Sequence, residues 1–327
     1  LFGSDKCKQP YRSSIINISA MSFGSLSKNA IKALNQGAAM GNFAHNTGEG
    51  GISPYHLQGG DLIFQVGTGY FGAGKTVDGK RVFDDAIFKE NAIKPQVKMI
   101  EIKFSQGAKP GHGGILPAQK NTQEIATIRK VEPFTQVDSP PSHSAFSNFE
   151  EMITFIQKVR DLSEGKPVGI KFCVGDTDEI EQMIQTFAKA DNYPDFIAVD
   201  GGEGGTGAAP PEFTNYIGTP LQEGLVFVNT LLKKYKLKNQ IKIMNDYKIK
   251  VGKYKNIFSD YVEAIEGYVS SSLFVNESLL SKSISKKKNT QNFYNYLGEF
   301  HNNDYWLLEV LVNEKPSFDI IQKKNNY

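Results

Sequence analysis

Ser14-Ile15-Ile16-Asn17-Ile18-Ser19, then Met21-Ser22-Phe23-Gly24-Ser25, then Ser27 through Met40, is the stretch whose reading decides the fold. The first six residues read as a short apolar strand and the next five as the Gly- and Ser-rich loop after it. Ser27 offers a side-chain oxygen to the free N–H groups of a helix start, and Ile31, Leu34 and Ala38 fall on one helical face. The same strand–loop–helix unit recurs along the chain. Further strands are expected at Asn42–His45, Leu62–Val66, Val97–Phe104, Val168–Val174, Phe196–Asp200, Ile241–Met244 and Gly267–Ser271. Helices are expected at Asp84–Asn91, Gln123–Arg129, Phe149–Leu162, Thr177–Ala190, Leu225–Tyr235 and Phe258–Ile265. Val- and Ile-rich strands alternating with helices build parallel sheets, because each parallel neighbour needs a crossover and the helix supplies it. Seven or eight units at roughly 30-residue spacing point to an α/β fold of the (β/α)₈ TIM-barrel type, whose usual length is ~250 residues. An open doubly wound sheet, which needs fewer units, is the alternative.

Composition excludes several classes. A chain of 327 residues with 39% hydrophobic and 22% charged residues can bury a large core and is neither disordered nor membrane-embedded. A net charge of +2, with Lys and Arg spread through most of the chain, leaves no nucleic-acid footprint. No apolar run approaches the ~20 residues that span a bilayer. Cys7 and Cys173 are the only cysteines, too few for a disulfide framework, a zinc site or an iron–sulfur cluster, and they read as free thiols in a reducing compartment. Cytoplasmic location is the expectation, although a chain starting at Leu1 rather than Met carries little information about a signal peptide.

In a barrel, chemistry sits on the loops after the strand C-termini. Three of these are rich in glycine: Asn46-Thr47-Gly48-Glu49-Gly50-Gly51, Gln106 through Gly114, and Asp200 through Gly207. Glycine lets backbone N–H groups come close to a ligand, so three such loops suggest a large flat or anionic one. Gly202-x-Gly204-x-x-Gly207 matches the dinucleotide fingerprint, but Ala208-Ala209-Pro210-Pro211 follows where a helix must begin, which removes that reading. Lys103 and Lys171 lie within apolar strands, where an ammonium is costly unless it meets an anion at the barrel mouth. Lys109 and Arg129 are candidate ligands for a dicarboxylate, and His112 and His143 are candidate proton donors near pH 7. No nucleophile elbow, zinc helix or phosphate-loop Lys is present, and the five histidines form no tight cluster.

Ala20 through Ser27, His45 through Gly51, Lys103 with Gln106 through Gly114, and the Asp200–Pro210 loop together resemble the FMN-binding domain of the glutamate synthase family. The match is nearest the short FMN-binding members with a similar His112–Pro117 run, and it covers about Leu1 to Ile243. The resemblance implies a barrel holding FMN at its C-terminal mouth. It also implies an oxidoreductase acting on CH–NH2 donors, which reduces 2-iminoglutarate, formed from 2-oxoglutarate and ammonia, to L-glutamate by hydride transfer from FMN N5. Carried over position by position, Met21, Ser22, Asn46, Thr47, Gly204, Gly205, Thr206 and Lys248 would contact the cofactor. Lys103 and Lys171 would face the flavin or the oxyanion side, with Glu49 as a third catalytic group, and Gln106, Lys109 and Arg129 would take the substrate carboxylates.

Four departures qualify that carry-over. His112 and Ile115 stand where the full-length relatives have Glu and Gln. No cysteine follows Cys173, so the family's iron–sulfur cluster has no ligands on this chain. No amidotransferase with a leading Cys is present, which implies an ammonia-supplying subunit or free ammonia, and a separate electron-donor protein. Last, Met244-Asn245-Asp246-Tyr247-Lys248 and Ser271-Ser272-Leu273-Phe274 replace the small loops that should hold the FMN phosphate. Asp246 beside a dianion is repulsive by ~1–4 kcal/mol, and an affinity lowered ~10- to 1000-fold is expected. Composition shifts at the same place: thirteen of the fourteen prolines precede residue 244, and Asn, Lys, Ser and Tyr take over beyond it. The expected organisation is a barrel over 1–280, diverged in 244–280 and irregular at its last two strands, then a polar linker and extension over 281–327. The alternative function is a non-catalytic barrel that binds a partner or metabolite.

Overall fold

The computed structural model describes residues 1–105, 113–203, 209–210 and 212–245, with the backbone of 262–264 and 274–276. In chain order the elements are α1 (Lys28–Gly41), β1 (Ala44–Asn46), β2 (Asp61–Val66), the hairpin β3 (Gly74–Val77) and β4 (Lys80–Phe83), α2 (Asp85–Ala92) and β5 (Val97–Lys103). There follow β6 (Ile115–Leu116), α3 (Gln123–Arg129), β7 (Val137–Asp138), α4 (Phe149–Leu162), β8 (Val168–Cys173) and α5 (Thr177–Ala190). The last are β9 (Phe196–Asp200), α6 (Leu221–Lys234), β10 (Lys242–Asn245), β11 (Val262–Ala264) and β12 (Phe274–Asn276).

The main sheet runs β1-β2-β5-β8-β9-β10, every pair parallel. Ile18 adds a parallel bridge to His45 on the outer side of β1. Each new strand joins beside its predecessor and the order never reverses. A doubly wound sheet would reverse at a switch point, so that alternative is excluded. The result is an α/β fold with a curled parallel sheet that makes a half-barrel.

Alternation along the strands separates two environments. One set of positions, including Leu62, Phe64, Ile100, Ile170, Ile197 and Val199, is buried against Ile156 and Val159 of α4, Ile184 and Phe187 of α5, and Val228 and Leu232 of α6. The other set faces the concave side. At its N-terminal end Ala44, Ile63, Met99 and Phe196 pack together, with Phe2, Tyr11 and Met244 against them. Gly169 has no side chain because a Cβ there would stand 2.2 Å from the Phe196 ring. The N-terminal segment covers this end: Phe2 and Tyr11 form an antiparallel bridge, and the Phe2 ring meets Phe196 edge-on at 5.5 Å. Ser4 N and Oγ donate to Asp195 Oδ1 at 2.6 and 2.7 Å, while Asp195 Oδ2 accepts from Val168 N at 2.8 Å and pairs with Arg160 at 3.3 Å.

Several expectations need correcting. Ser14–Ser19 is not a strand. Ser13 Oγ and Asn17 Nδ2 bond to Ser14 O, Ala44 N donates to Asn17 Oδ1, and only Ile18 keeps a ladder position. Local side-chain bonds thus replace the strand ladder there. Asn42 ends α1 as its left-handed cap, at φ 54°, which moves the start of β1 to Ala44. Helix α6 begins at Leu221, directly after Pro220, rather than at Leu225. Gly224 within it faces Val174 and Val199, which stand 3.5 Å from where a Cβ would be. In place of a helix over Phe258–Ile265, the described Val262–Ala264 pairs antiparallel with Phe274–Asn276, so its backbone bonds run across a ladder instead of up a helix. The proposed strand Gly267–Ser271 and the stretch 281–327 lie outside the described residues.

Candidate functional site

The C-terminal ends of β1, β5, β8 and β9 bring charged and polar side chains to one rim. Lys103 ends β5 and Lys171 lies opposite it in register on β8, so two ammonium groups are carried on adjacent strands. Each has a carboxylate: Lys103 Nζ donates to Glu49 Oε2 at 3.2 Å, and Lys171 Nζ lies 3.7 Å from Asp200 Oδ2. Lys171 and Asp200 are 4% and 5% exposed, so this pair is desolvated and held at the strand ends.

Glu49 is set between two glycines. A Cβ on Gly67 would stand 2.7 Å from Glu49 Oε2, and one on Gly114 would stand 3.0 Å from Oε1. These close approaches account for glycine in both places. Arg129 is buried. Its Nη2 donates to Phe23 O at 3.2 Å, its guanidinium lies 5.0 Å from the Phe71 ring centroid, and its Nε is buried without a hydrogen-bond partner among the described residues. Burial lowers its pKa and the Glu49 charge works in the opposite direction. Glu49, Lys103 and Arg129 therefore form one electrostatic group, drawn from three separate segments.

Asn46 and Thr47 turn their side chains inward. Asn46 Nδ2 donates to Glu101 Oε1 at 2.9 Å and its Oδ1 accepts from Gly48 N, while Gln65 Nε2 donates to the same Glu101 oxygen at 2.6 Å. Thr47 Oγ1 donates to Gly48 O and accepts from Gln65 N. These bonds lock the loop after β1 to the concave face of β2 and β5. Met21 and Ser22 run beside that loop, with Met21 N donating to Asn46 O at 3.1 Å.

His143 is buried and structural rather than a proton donor at neutral pH. Its Nε2 faces Lys103 O at 2.9 Å, so that nitrogen carries the hydrogen, and Nδ1 accepts from Tyr70 OH at 3.0 Å. Burial pulls its pKa down to about 4. The Cys173 thiol is pushed up to about 12 by burial and by Asp200, which leaves it inert, and both cysteines are free. Ile115 alternates away from Gly114 and Leu116 in β6 and is 45% exposed, so it does not join Gly114 against Glu49. Gln106, Lys109, His112, Gly204, Gly205, Thr206 and Lys248 lie outside the described residues. Among the described residues there is no group of three or more potential metal ligands, and no helix is long and apolar enough to cross a membrane.

Sequence reasoning missed Arg81 and His56. Arg81 is buried and donates to the carbonyls of Gly69, Tyr70, Gly74 and Lys130, which braces the segment carrying Phe71 behind Arg129. His56 reaches the first loop through Met21 O. Neither residue sits in a periodic pattern, so only the folded chain shows its place. The Asp78-Gly79 turn of the β3–β4 hairpin, with φ of 48° and 73°, did carry a readable sequence signal.

Comparison with known proteins gives consistent matches. The conserved region in glutamate synthase matches residues 5–257. The chain is 42% identical over 252 residues to the glutamate synthase large subunit-like protein YerD of Bacillus subtilis, covering 76% of this chain and 47% of that protein. It is 33% identical over 237 residues to the archaeal glutamate synthase [NADPH] of Methanocaldococcus jannaschii, covering 70% of this chain and 41% of that protein. Among solved structures, a mutant flavocytochrome b2 with pyruvate bound superposes with a TM-score of 0.40 at 13% identity, covering 76% of this chain and 56% of that one. The chain spans about half the length of the curated relatives it matches.

Proposed function

This chain belongs to the glutamate synthase family, and from that premise we propose that it forms the FMN-binding part of an oxidoreductase that makes L-glutamate from 2-oxoglutarate and ammonia by way of 2-iminoglutarate. The observation that carries the reading is the pair of ammonium groups, Lys103 and Lys171, held in register at one strand-end rim with Glu49 and Arg129 beside them. In this reading the rim receives the flavin ring. It offers Ser22 N–H as a donor with no acceptor among the described residues, and it carries glycines at 48, 67 and 114 where a Cβ would collide with the walls. When bound there, FMN supplies the hydride.

The chain's own residues supply binding, charge and position. Lys103 and Lys171 set positive charge where a reduced ring system or a carboxylate is anionic, and in a sheltered site such preorganised charge acts strongly. Arg129 joins Lys103 in attracting a substrate carboxylate, with Gln106 and Lys109 from the glycine-rich loop as further ligands. Glu49 keeps the two cations in place before substrate arrives and accepts hydrogen bonds from ammonia or an imine. Asn46, Thr47, Gln65 and Glu101 hold the loop that carries Glu49. Gly204, Gly205, Thr206 and Lys248 complete the cofactor contacts in this reading, and closure of the half-barrel by an eighth strand belongs to it as well. Electrons come from a separate donor protein, and ammonia from a partner subunit or from solution.

Asn245 at the end of β10 favours a second reading. It pairs with Val199 as the last ladder residue and leads into the stretch where the resemblance places the FMN-phosphate loop, and a chain without that site would keep the fold as a non-catalytic binding barrel. One experiment separates the two: the visible spectrum of the purified full chain before and after FMN is added, followed by glutamate formation from 2-oxoglutarate and ammonia with a chemical reductant. A flavin spectrum with glutamate production supports the enzyme, whereas a colourless chain that takes up no added FMN removes it.

A further inference from the structure

His56 lies outside the residues that carry the proposed reaction, yet both of its ring nitrogens are committed. Nε2 faces Met21 O at 2.9 Å, and Nδ1 faces Ser53 N at 3.1 Å and Ser53 Oγ at 2.8 Å. A carbonyl only accepts, so Nε2 carries the hydrogen and Nδ1 accepts from the Ser53 amide. Burial draws the ring's pKa down to about 4, which keeps this one neutral tautomer at neutral pH.

The peptide after Met21 is trans, and in a trans peptide the carbonyl and the following N–H point in opposite directions. Clamping the Met21 carbonyl on His56 therefore aims the Ser22 N–H away from His56. The other polar atoms of Ser22 are occupied: its carbonyl accepts from Ser25 N and Leu26 N, and its Oγ donates to Ser25 Oγ. The N–H alone finds no acceptor among the described residues. Gly48, at φ +64°, comes so close that a Cβ would stand 2.8 Å from Ser22 N, and Met21 N is tied to Asn46 O. The peptide plane is fixed from both sides, next to the loop that carries Glu49.

We propose that His56, set in its tautomer by Ser53, is a positioning residue that presents the Ser22 N–H as a hydrogen-bond donor to a carbonyl oxygen or ring nitrogen of the flavin. This rests on the flavin reading of the same site. The test compares His56→Leu, His56→Gln and His56→Asn in the full chain, by FMN titration with flavin fluorescence and by the absorption bands of the bound flavin. His56→Leu should bind FMN about tenfold more weakly with displaced bands, the size of one misplaced hydrogen bond. His56→Gln, whose Nε2 reaches the same carbonyl, should stay within about threefold and restore the bands. A folded His56→Leu protein with unchanged affinity and spectrum overturns the proposal. Should that variant fail to fold, His56→Asn decides: its shorter amide falls short of the Met21 carbonyl, so about tenfold weaker binding is expected, and unaltered affinity and bands overturn the proposal. A wild-type chain that takes up no FMN removes the flavin reading and this inference together, whereas binding that is indifferent to all three variants removes only the role of His56.

Discussion

Lys103 Nζ donates to Glu49 Oε2 across 3.2 Å and thereby ties the end of β5 to the loop that follows β1. The side chains are only 12% and 26% exposed, so the cost of desolvating both charges offsets much of their attraction, and the pair's value lies in holding charge at the rim. Lys103→Met should keep the fold and lower glutamate formation about 100-fold or more, in line with the loss of one preorganised electrostatic group. Steady-state turnover with a chemical reductant, beside a melting curve, measures both quantities. Turnover above a third of wild type would remove Lys103 from the reaction.

Much of the frame was readable because its signals are local. The periodic, side-chain-capped helices α3, α4 and α5 and the strand β9 lie where the pattern puts them. Ser14–Ser19 misled because its apolar residues suggested a strand, while Ile15 is 92% exposed and Asn17 bonds to Ala44 across the chain. The lysine pair was legible as two ammonium groups inside apolar strands. The Asn46–Glu101–Gln65 network, the Arg129–Glu49 neighbourhood and the His56 clamp were not, since each joins residues far apart in sequence whose types alone do not indicate pairing.

His56 and His143 make the fold sensitive to mild acid. Burial lowers both from 6.5 to about 4, so between these values the unfolded chain holds more protons than the folded one. Stability is then complete above pH ~6.5 and falls as the pH drops toward ~4. At pH 5 each histidine should cost about 2 kcal/mol, rising to about 3 kcal/mol once the folded form also titrates. Urea unfolding at pH 7 and pH 5 measures the difference, in a window above most carboxylate titration. Equal unfolding free energies at the two values would show that these rings are not held neutral.

Asp195 joins four segments at the N-terminal end of the sheet. It accepts from Ser4, Val168 and Arg160, and neither it nor Arg160 exceeds 1% exposure. Asp195→Asn leaves the guanidinium buried beside a neutral amide, which should destabilise the protein by about 3–5 kcal/mol. Arg160→Met strands the carboxylate instead and should cost a similar amount. The urea midpoints of both variants decide the matter, and a loss below about 1 kcal/mol in either would mean that water or a rearranged partner replaces the pair.

Gly169 and Phe196 are matched across neighbouring strands, the ring of one occupying the space a Cβ of the other would need, at 2.2 Å. Phe196 is fully buried and lies between the N-terminal segment and Met99, so it has little room to retreat. Gly169→Ala should therefore destabilise by about 1–3 kcal/mol through overpacking. Phe196→Leu alone should cost a comparable amount through the cavity it leaves. Combined, the two changes should cost less than their sum, because the smaller side chain makes room for the added methyl group. A double-mutant cycle on unfolding free energies reads that coupling directly, and strict additivity would show that the strands shift apart rather than compete for one space.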